Sequence, residues 1–142
     1  MKDLELSILS CLILDADLSK KLRVNEIHFK KHRRMFLFMK SFYERFGTYD
    51  IQLMYSVCKD KWHIINYLEM LMDVEITTKN FELYQDRLIE QYYTSEKDKW
   101  IAEKVFQKAS DLFVGKISSL MFKNEIEKIY KEADEIFDNI LT

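Results

Sequence analysis

The chain almost entirely lacks the residues that break helices. Its 142 residues include no proline and only two glycines, Gly47 and Gly115. Inside a helix, glycine costs roughly 1 kcal/mol and proline about 3 kcal/mol relative to alanine, and β-rich folds use both residues at their many turns. Hydrophobic residues make up 48% of the chain, which is enough apolar material for the core of one ordinary domain. The sequence therefore predicts an all-α fold with long helices and few junctions.

Apolar residues at intervals of three and four predict a compact helical bundle over residues 1–90. Longer helices are expected over about 3–15, 30–46 and 62–74. A short helix capped by Asp17 or Ser19 is expected after the first of them, and another capped by Asp50 after the second. Gly47 is expected to end the third helix in the left-handed conformation. The residues expected to face the core are Leu4, Ile8, Leu9, Leu12, Phe29, Met35, Phe36, Met39, Phe42, Tyr43, Phe46, Leu53, Met54, Val57, Ile64, Ile65, Leu68, Leu71 and Met72.

The second part of the chain predicts a long antiparallel helical hairpin over residues 80–142, sharing the start of its long helix with the bundle. One long helix, or two nearly collinear ones, is expected over about 79–113, and Gly115 allows the turn into a final helix. The long helix begins with the apolar row Phe81, Tyr84, Leu88 and Tyr92. The rows expected to meet in the hairpin seam are Ala102, Phe106, Ala109 and Phe113 on the long helix, and Phe122, Ile126, Ile129, Ala133, Ile136 and Ile140 on the final one.

A hairpin of two helices leaves apolar side chains with no partner. Further apolar residues lie partly off the expected seam, namely Tyr93, Trp100, Ile101, Val105, Leu112, Leu120, Met121, Tyr130 and Phe137. Exposed apolar patches usually mark association surfaces, although these residues would also be covered if the hairpin folded back on the bundle. The residues predicted to act in the hairpin and in association are Phe106, Phe113, Phe122, Ile126 and Ile129, with purely internal packing as the alternative.

Charge is distributed unevenly along the chain. The formal net charge is −2, but residues 20–45 carry nine basic and two acidic residues, a net +7, so the remainder carries −9. The sharpest feature is the basic segment, defined as Lys30, Lys31, Arg33 and Arg34. It is suited to phosphate groups or to an acidic protein partner, and the alternative is a solvated helix start. Because no aromatic-rich platform accompanies it, nucleic-acid contact is a secondary prediction.

The sequence contains no recognisable catalytic constellation. A Walker A motif needs an upstream glycine and a Gly-Lys-Ser/Thr, whereas Gly115-Lys116 is followed by Ile117. His28 and His32 are four residues apart but lack acidic or thiolate company, so His32 is interpreted as a helix-start or buried polar contact rather than a zinc ligand. We therefore predict no enzymatic activity, no cofactor and no metal.

Cysteine usage and hydropathy favour a cytoplasmic protein. Cys11 and Cys58 form no disulfide pattern, and Cys11 lies in an apolar run where it is expected to be a small buried hydrophobe. No run of 18 uncharged apolar residues exists, so no membrane span is expected.

Several short motifs follow one another in a characteristic order. Glu5 opens an aliphatic helix that ends at Asp15, and the later motifs are Phe29/His32/Phe36/Met39, Gly47 with Asp50, Tyr67-Leu68 with Leu71, and Asn80 with Tyr84. In this order and spacing, the whole chain resembles the N-terminal collar domain of DnaB-type replicative helicases. It departs from that family at Ser10, where glycine is usual, and between Cys58 and Ile64, which is shorter and less glycine-rich.

The resemblance implies a role in DNA replication. In that family the domain forms a collar of paired hairpins around a ring-shaped helicase, supports hexamer assembly and docks primase; the helicase-binding domain of bacterial primases has a similar plan. The chain is thus expected to be a non-catalytic interaction module, a homodimer or higher homo-oligomer, with replicative helicase, primase or helicase loader as partner. The alternatives are a loader or inhibitor encoded by a mobile element, a DNA-binding protein using the basic segment, and a general helical regulator.

Overall fold

The computed structural model describes residues 3–138, which form helices and turns without a strand. The all-α prediction is confirmed. The α-helices are α1 (Leu4–Leu14), α2 (Arg33–Phe46), α3 (Ile51–Val57), α4 (Trp62–Asp73), α5 (Phe81–Phe113) and α6 (Ser119–Ala133). Short 3-10 turns cover Ala16–Lys21, Glu26–His28 and Thr78–Asn80, and a π-helical turn covers Asp134–Asp138.

The chain divides into two compact units, residues 1–89 and residues 90–142, with the boundary inside α5. The bundle is predicted over residues 1–90 and the hairpin over residues 80–142, so the second unit begins ten residues later than the predicted hairpin. Within the described residues, no helix combines the length and the apolar composition needed to cross a membrane.

The bundle is built around a single apolar core. The core side chains are Ile8, Leu9, Cys11, Leu12, Val24, Phe29, Met35, Phe36, Met39, Phe42, Tyr49, Met54, Leu68, Leu71, Phe81, Tyr84 and Leu88. The predictions for Val57 and Met72 are wrong, because both side chains are exposed. On the short helix α3 the inward row is Met54 followed by Cys58, four residues on, so Val57 points one helical step away from the core.

Helix ends in the bundle follow the predicted chemistry with one exception. Gly47 ends α2 with φ +68°, and the Asp50 side chain caps α3 by accepting the N–H of Leu53 at 2.9 Å. The exception is the turn Ala16–Lys21. Its cap is Asp15, which accepts the N–H of Asp17 at 3.1 Å, so the prediction of Asp17 or Ser19 as the cap is wrong.

The hairpin unit is held by contacts between α5 and the chain that returns antiparallel to it. Near one end, the Lys97 ammonium donates to Asp134 at 2.7 Å and to Asp138 at 3.1 Å. Near the other end, Lys108 and Glu125 form a longer ion pair at 3.8 Å. Both pairs reflect the antiparallel arrangement, since the earlier residue of α5 pairs with the later part of the returning chain.

On α6, the predicted seam is confirmed as far as the end of the helix. Ile129 and Ala133 are buried, and Phe122 and Ile126 are half-buried. Ile136 is exposed, contrary to the prediction. The π-helical turn holds about one residue more than an α-helical turn, so the side chains within it point in directions different from those that α-helical spacing predicts. Phe137 packs against α5 instead, with 6.4 Å between the centroids of its ring and the ring of Trp100. Ile140 lies outside the described residues.

On α5, the predicted seam is wrong by one position. Ala102, Phe106, Ala109 and Phe113 are all exposed. The partly covered row consists of Ile101, Val105, Lys108 and Leu112, each one residue earlier. Both rows have helical spacing and apolar members, so spacing alone does not decide between them, and a shift of one residue turns the helix face by about 100°.

Candidate interaction surfaces

Large apolar side chains are exposed around the hairpin turn. Phe106 is 72% exposed, Phe113 92% and Leu120 69%, and Val114 and Met121 are also exposed. A large apolar side chain left in water forgoes about 1.5–3 kcal/mol of burial free energy, so several of them together favour an association surface. We call these five residues the tip set.

The predicted association residues therefore divide into two groups. Phe122, Ile126 and Ile129 pack inside the hairpin, whereas Phe106 and Phe113 project from it. The prediction that Phe106 and Phe113 pack in the seam is wrong, and their role in association stays a prediction. Leu120 and Met121 are among the apolar residues expected partly off the seam, whereas Val114 is not predicted; its place beside Gly115, between two apolar helices, is the sequence signal available for it.

The basic segment lines a pocket of the bundle with a volume of about 550 Å³. All four predicted residues meet there, at the start of α2, together with His32 and with His63 from α4. The remaining lining residues are the predominantly apolar side chains Met35, Phe38, Ile64 and Tyr67. We call this site the basic pocket; it combines exposed cations with an apolar floor.

Two carboxylates from the start of α1 hold the basic segment in place. The buried Glu5 carboxylate accepts the backbone N–H groups of Lys31 at 3.1 Å and His32 at 3.0 Å. Asp3 caps α1 and also contacts His32, with 2.9 Å between Asp3 Oδ2 and His32 Nε2. Burial raises the pKa of Asp3, but the bonds to His32 and to the N–H groups of Leu6 and Glu5 outweigh it, so the pKa of Asp3 lies below its usual value.

His32 connects three helices rather than pairing with His28. Its Nδ1 is hydrogen-bonded to the hydroxyl of Tyr67 on α4, and its Nε2 faces Asp3. His28 is turned to its own loop, where its Nδ1 accepts the N–H of Asn25 at 3.0 Å. The interpretation of His32 as a polar contact at a helix start is confirmed.

The cations of the basic pocket differ in whether their side chains make hydrogen bonds or ion pairs within the chain. The Arg33 Nε donates to the carbonyl oxygens of Glu26 at 3.0 Å and Phe29 at 3.2 Å. The side chains of Lys31 and Arg34 are exposed, and no carboxylate in residues 3–138 forms an ion pair with either of them. These two groups are thus available to an anionic ligand.

No family model, curated protein or solved structure matches the chain. Its function is therefore inferred from the tip set, the basic pocket and the motif resemblance.

Proposed function

We propose that this chain is a non-catalytic protein-interaction module of DNA replication, similar in role to the collar domain of DnaB-type helicases. The observation that carries the proposal is the tip set, in which Phe106 is 72% and Phe113 92% exposed on the hairpin. A second copy of the hairpin would bury these side chains, giving a homodimer or a higher homo-oligomer.

The replication role comes from the motif resemblance, and the places of the motif residues in the bundle support it. Glu5 and His32 fix the start of α2, Gly47 ends that helix and Asp50 begins the next. Each of these residues has a defined structural task in the bundle, and these tasks are the support that the fold gives to the resemblance. Under this proposal the chain acts in the cytoplasm and binds replicative helicase, primase or a helicase loader.

Self-association is tested by light scattering over a concentration series. Wild-type protein is expected to show at least twice the 17.3 kDa mass of one chain. The double variant Phe106→Ser/Phe113→Ser should weaken association at least about tenfold, because it removes two exposed anchors. Trp62→Ser is the matched control, since Trp62 is 71% exposed but lies in the bundle. A monomeric wild type, or an unchanged mass for the double variant, would contradict association through the tip set.

The partner is tested by pull-down against purified replicative helicase, primase and helicase loader. The proposal expects a defined complex with one of them. Helicase ATPase and unwinding rates, measured with and without the chain, would then distinguish activation from inhibition. Failure to bind any of the three would overturn the replication role, whatever the oligomeric state.

A further inference from the structure

We propose that the basic pocket binds a short acidic peptide segment of a partner protein, one that carries an aromatic or aliphatic side chain between its carboxylates. This site lies in the bundle and is separate from the tip set, so the proposal does not depend on hairpin association.

The lining of the basic pocket contains both kinds of group that such a peptide needs, namely cations and apolar side chains. Lys31 and Arg34 offer exposed cations without ion-pair partners among the described residues, and His63 of α4 also lines the pocket. The apolar part of the lining includes Met35, which is buried, and the half-buried Phe38 and Ile64. Carboxylates satisfy the cations through charge-assisted hydrogen bonds, and an apolar side chain covers the floor.

The cations at the start of α2 do not stabilise that helix. The first turn of α2 contains Arg33 and Arg34 and no acidic residue, and the helix N-cap, His32, makes no capping hydrogen bond with its side chain. Positive charge at a helix N-terminus is unfavourable because it opposes the macrodipole. Such local conflicts are typical of functional sites.

The pocket is also preorganised. The Glu5 carboxylate fixes the backbone at Lys31 and His32, and the His32 ring is held between Asp3 and Tyr67. A preformed backbone lowers the ordering cost of binding, so a small contact area is enough for a measurable affinity.

The composition of the pocket lining favours a peptide over a nucleic acid. The carboxylates of a short acidic peptide would meet the cations while its apolar side chain covers the apolar lining. A phosphate backbone would leave the apolar floor formed by Phe38 and Ile64 uncovered.

The test is a fluorescence anisotropy titration with the labelled peptide Asp-Asp-Glu-Phe-Asp-Asp-Leu-Glu. Wild-type protein is expected to bind it with Kd of about 10–100 μM, typical of a small, weak interface. Lys31→Glu/Arg34→Glu should weaken binding at least about tenfold. The matched control is Lys40→Glu/Lys59→Glu, which changes the net charge equally at exposed positions outside the pocket and should change Kd less than about threefold. Circular dichroism would check that all variants are folded.

Two further probes separate the ligand classes. A peptide with serine in place of phenylalanine and leucine should bind at least about tenfold more weakly; equal binding would overturn the role of the apolar floor. Oligothymidylate should bind more weakly than the peptide. If it bound more tightly, and lost that affinity in Lys31→Glu/Arg34→Glu, the pocket would be a nucleic-acid site and the peptide proposal would be wrong. No peptide binding at about 1 mM would also overturn it. Phe106→Ser/Phe113→Ser should bind the peptide like wild type, which keeps this result distinct from hairpin association.

Discussion

Glu5 illustrates how much one buried carboxylate contributes to this bundle. It is 7% exposed and accepts two backbone N–H groups at the start of α2. Glu5→Ala is expected to lower the free energy of unfolding by about 2–4 kcal/mol, because both donors lose a charged acceptor. Urea denaturation measures the change. Glu44→Ala, at an exposed position of α2, is the control and should change stability by less than about 0.5 kcal/mol. A similar small change for Glu5→Ala would show that water replaces the carboxylate.

His28 should make the stability of the bundle depend on pH. It is buried, and burial lowers its pKa below the ordinary value of 6.5. Between the lowered folded pKa and 6.5, the unfolded chain binds the proton more readily, so the free energy of unfolding falls as the pH drops from 7 to 5.

The contribution of His28 to that slope is at most about 1.4 kcal/mol per pH unit, the value for one proton. His28→Gln should flatten the dependence in urea denaturation at pH 7, 6 and 5. An unchanged slope in His28→Gln would mean that other groups cause the dependence.

Long-range polar pairs are the part of the bundle that sequence spacing does not predict. Gln85 sits fully buried on α5, where its carbonyl accepts the N–H of Arg23 at 2.6 Å and its amide donates to the carbonyl of Lys21 at 3.2 Å. A glutamine in a helix normally indicates an exposed face. Its burial depends on a loop more than 60 residues earlier in the chain, and no local pattern contains that information.

At the scale of elements, the hairpin turn depends on one glycine. Gly115 has φ +80°, donates its N–H to the carbonyl of Leu112, and places the Lys116 N–H against the carbonyl of Asp111. This is a Schellman motif, which satisfies the last carbonyls of α5. Gly115→Ala should destabilise the hairpin by about 1–2 kcal/mol through the left-handed backbone alone, since an added Cβ would meet no atom within 4 Å.

Hydrogen exchange of the α6 amides measures the Gly115 effect locally. Lys116→Ala, at the next and exposed position, is the control and should leave the exchange rates close to those of wild type. If the α6 amides of Gly115→Ala exchanged at the same rates as those of this control, the left-handed turn would not determine the stability of the hairpin.

The two helices of the hairpin show where element prediction succeeds. On α6 a single apolar row is available, so spacing finds Phe122, Ile126 and Ile129 correctly. On α5 two neighbouring rows have the same spacing, so spacing does not decide which row is covered; in the structure it is the row that includes Lys108, which pairs with Glu125 of α6. The covered row leaves Phe106 and Phe113 exposed, so the structure separates these two predicted association residues from those that pack inside the hairpin.

At the scale of the whole molecule, the two compact units should lose their structure separately. Ile129 is 5% exposed and belongs to the hairpin unit, whereas the apolar core of the bundle consists of residues between Ile8 and Leu88. Ile129→Glu should destabilise the hairpin by about 3–5 kcal/mol, because it buries an unpaired charge. Hydrogen exchange is expected to rise over α6 and remain slow over α1, α2 and α4.

The same Ile129→Glu variant also separates the two proposed surfaces. It should abolish self-association, which needs the folded hairpin, and retain binding of the acidic peptide in the bundle. Tyr130→Glu is the control, because Tyr130 is the adjacent residue of α6 and is exposed, so the hairpin should stay folded. If Ile129→Glu instead raised exchange in both units, the chain would unfold as one cooperative body and the bundle would depend on the hairpin for its stability.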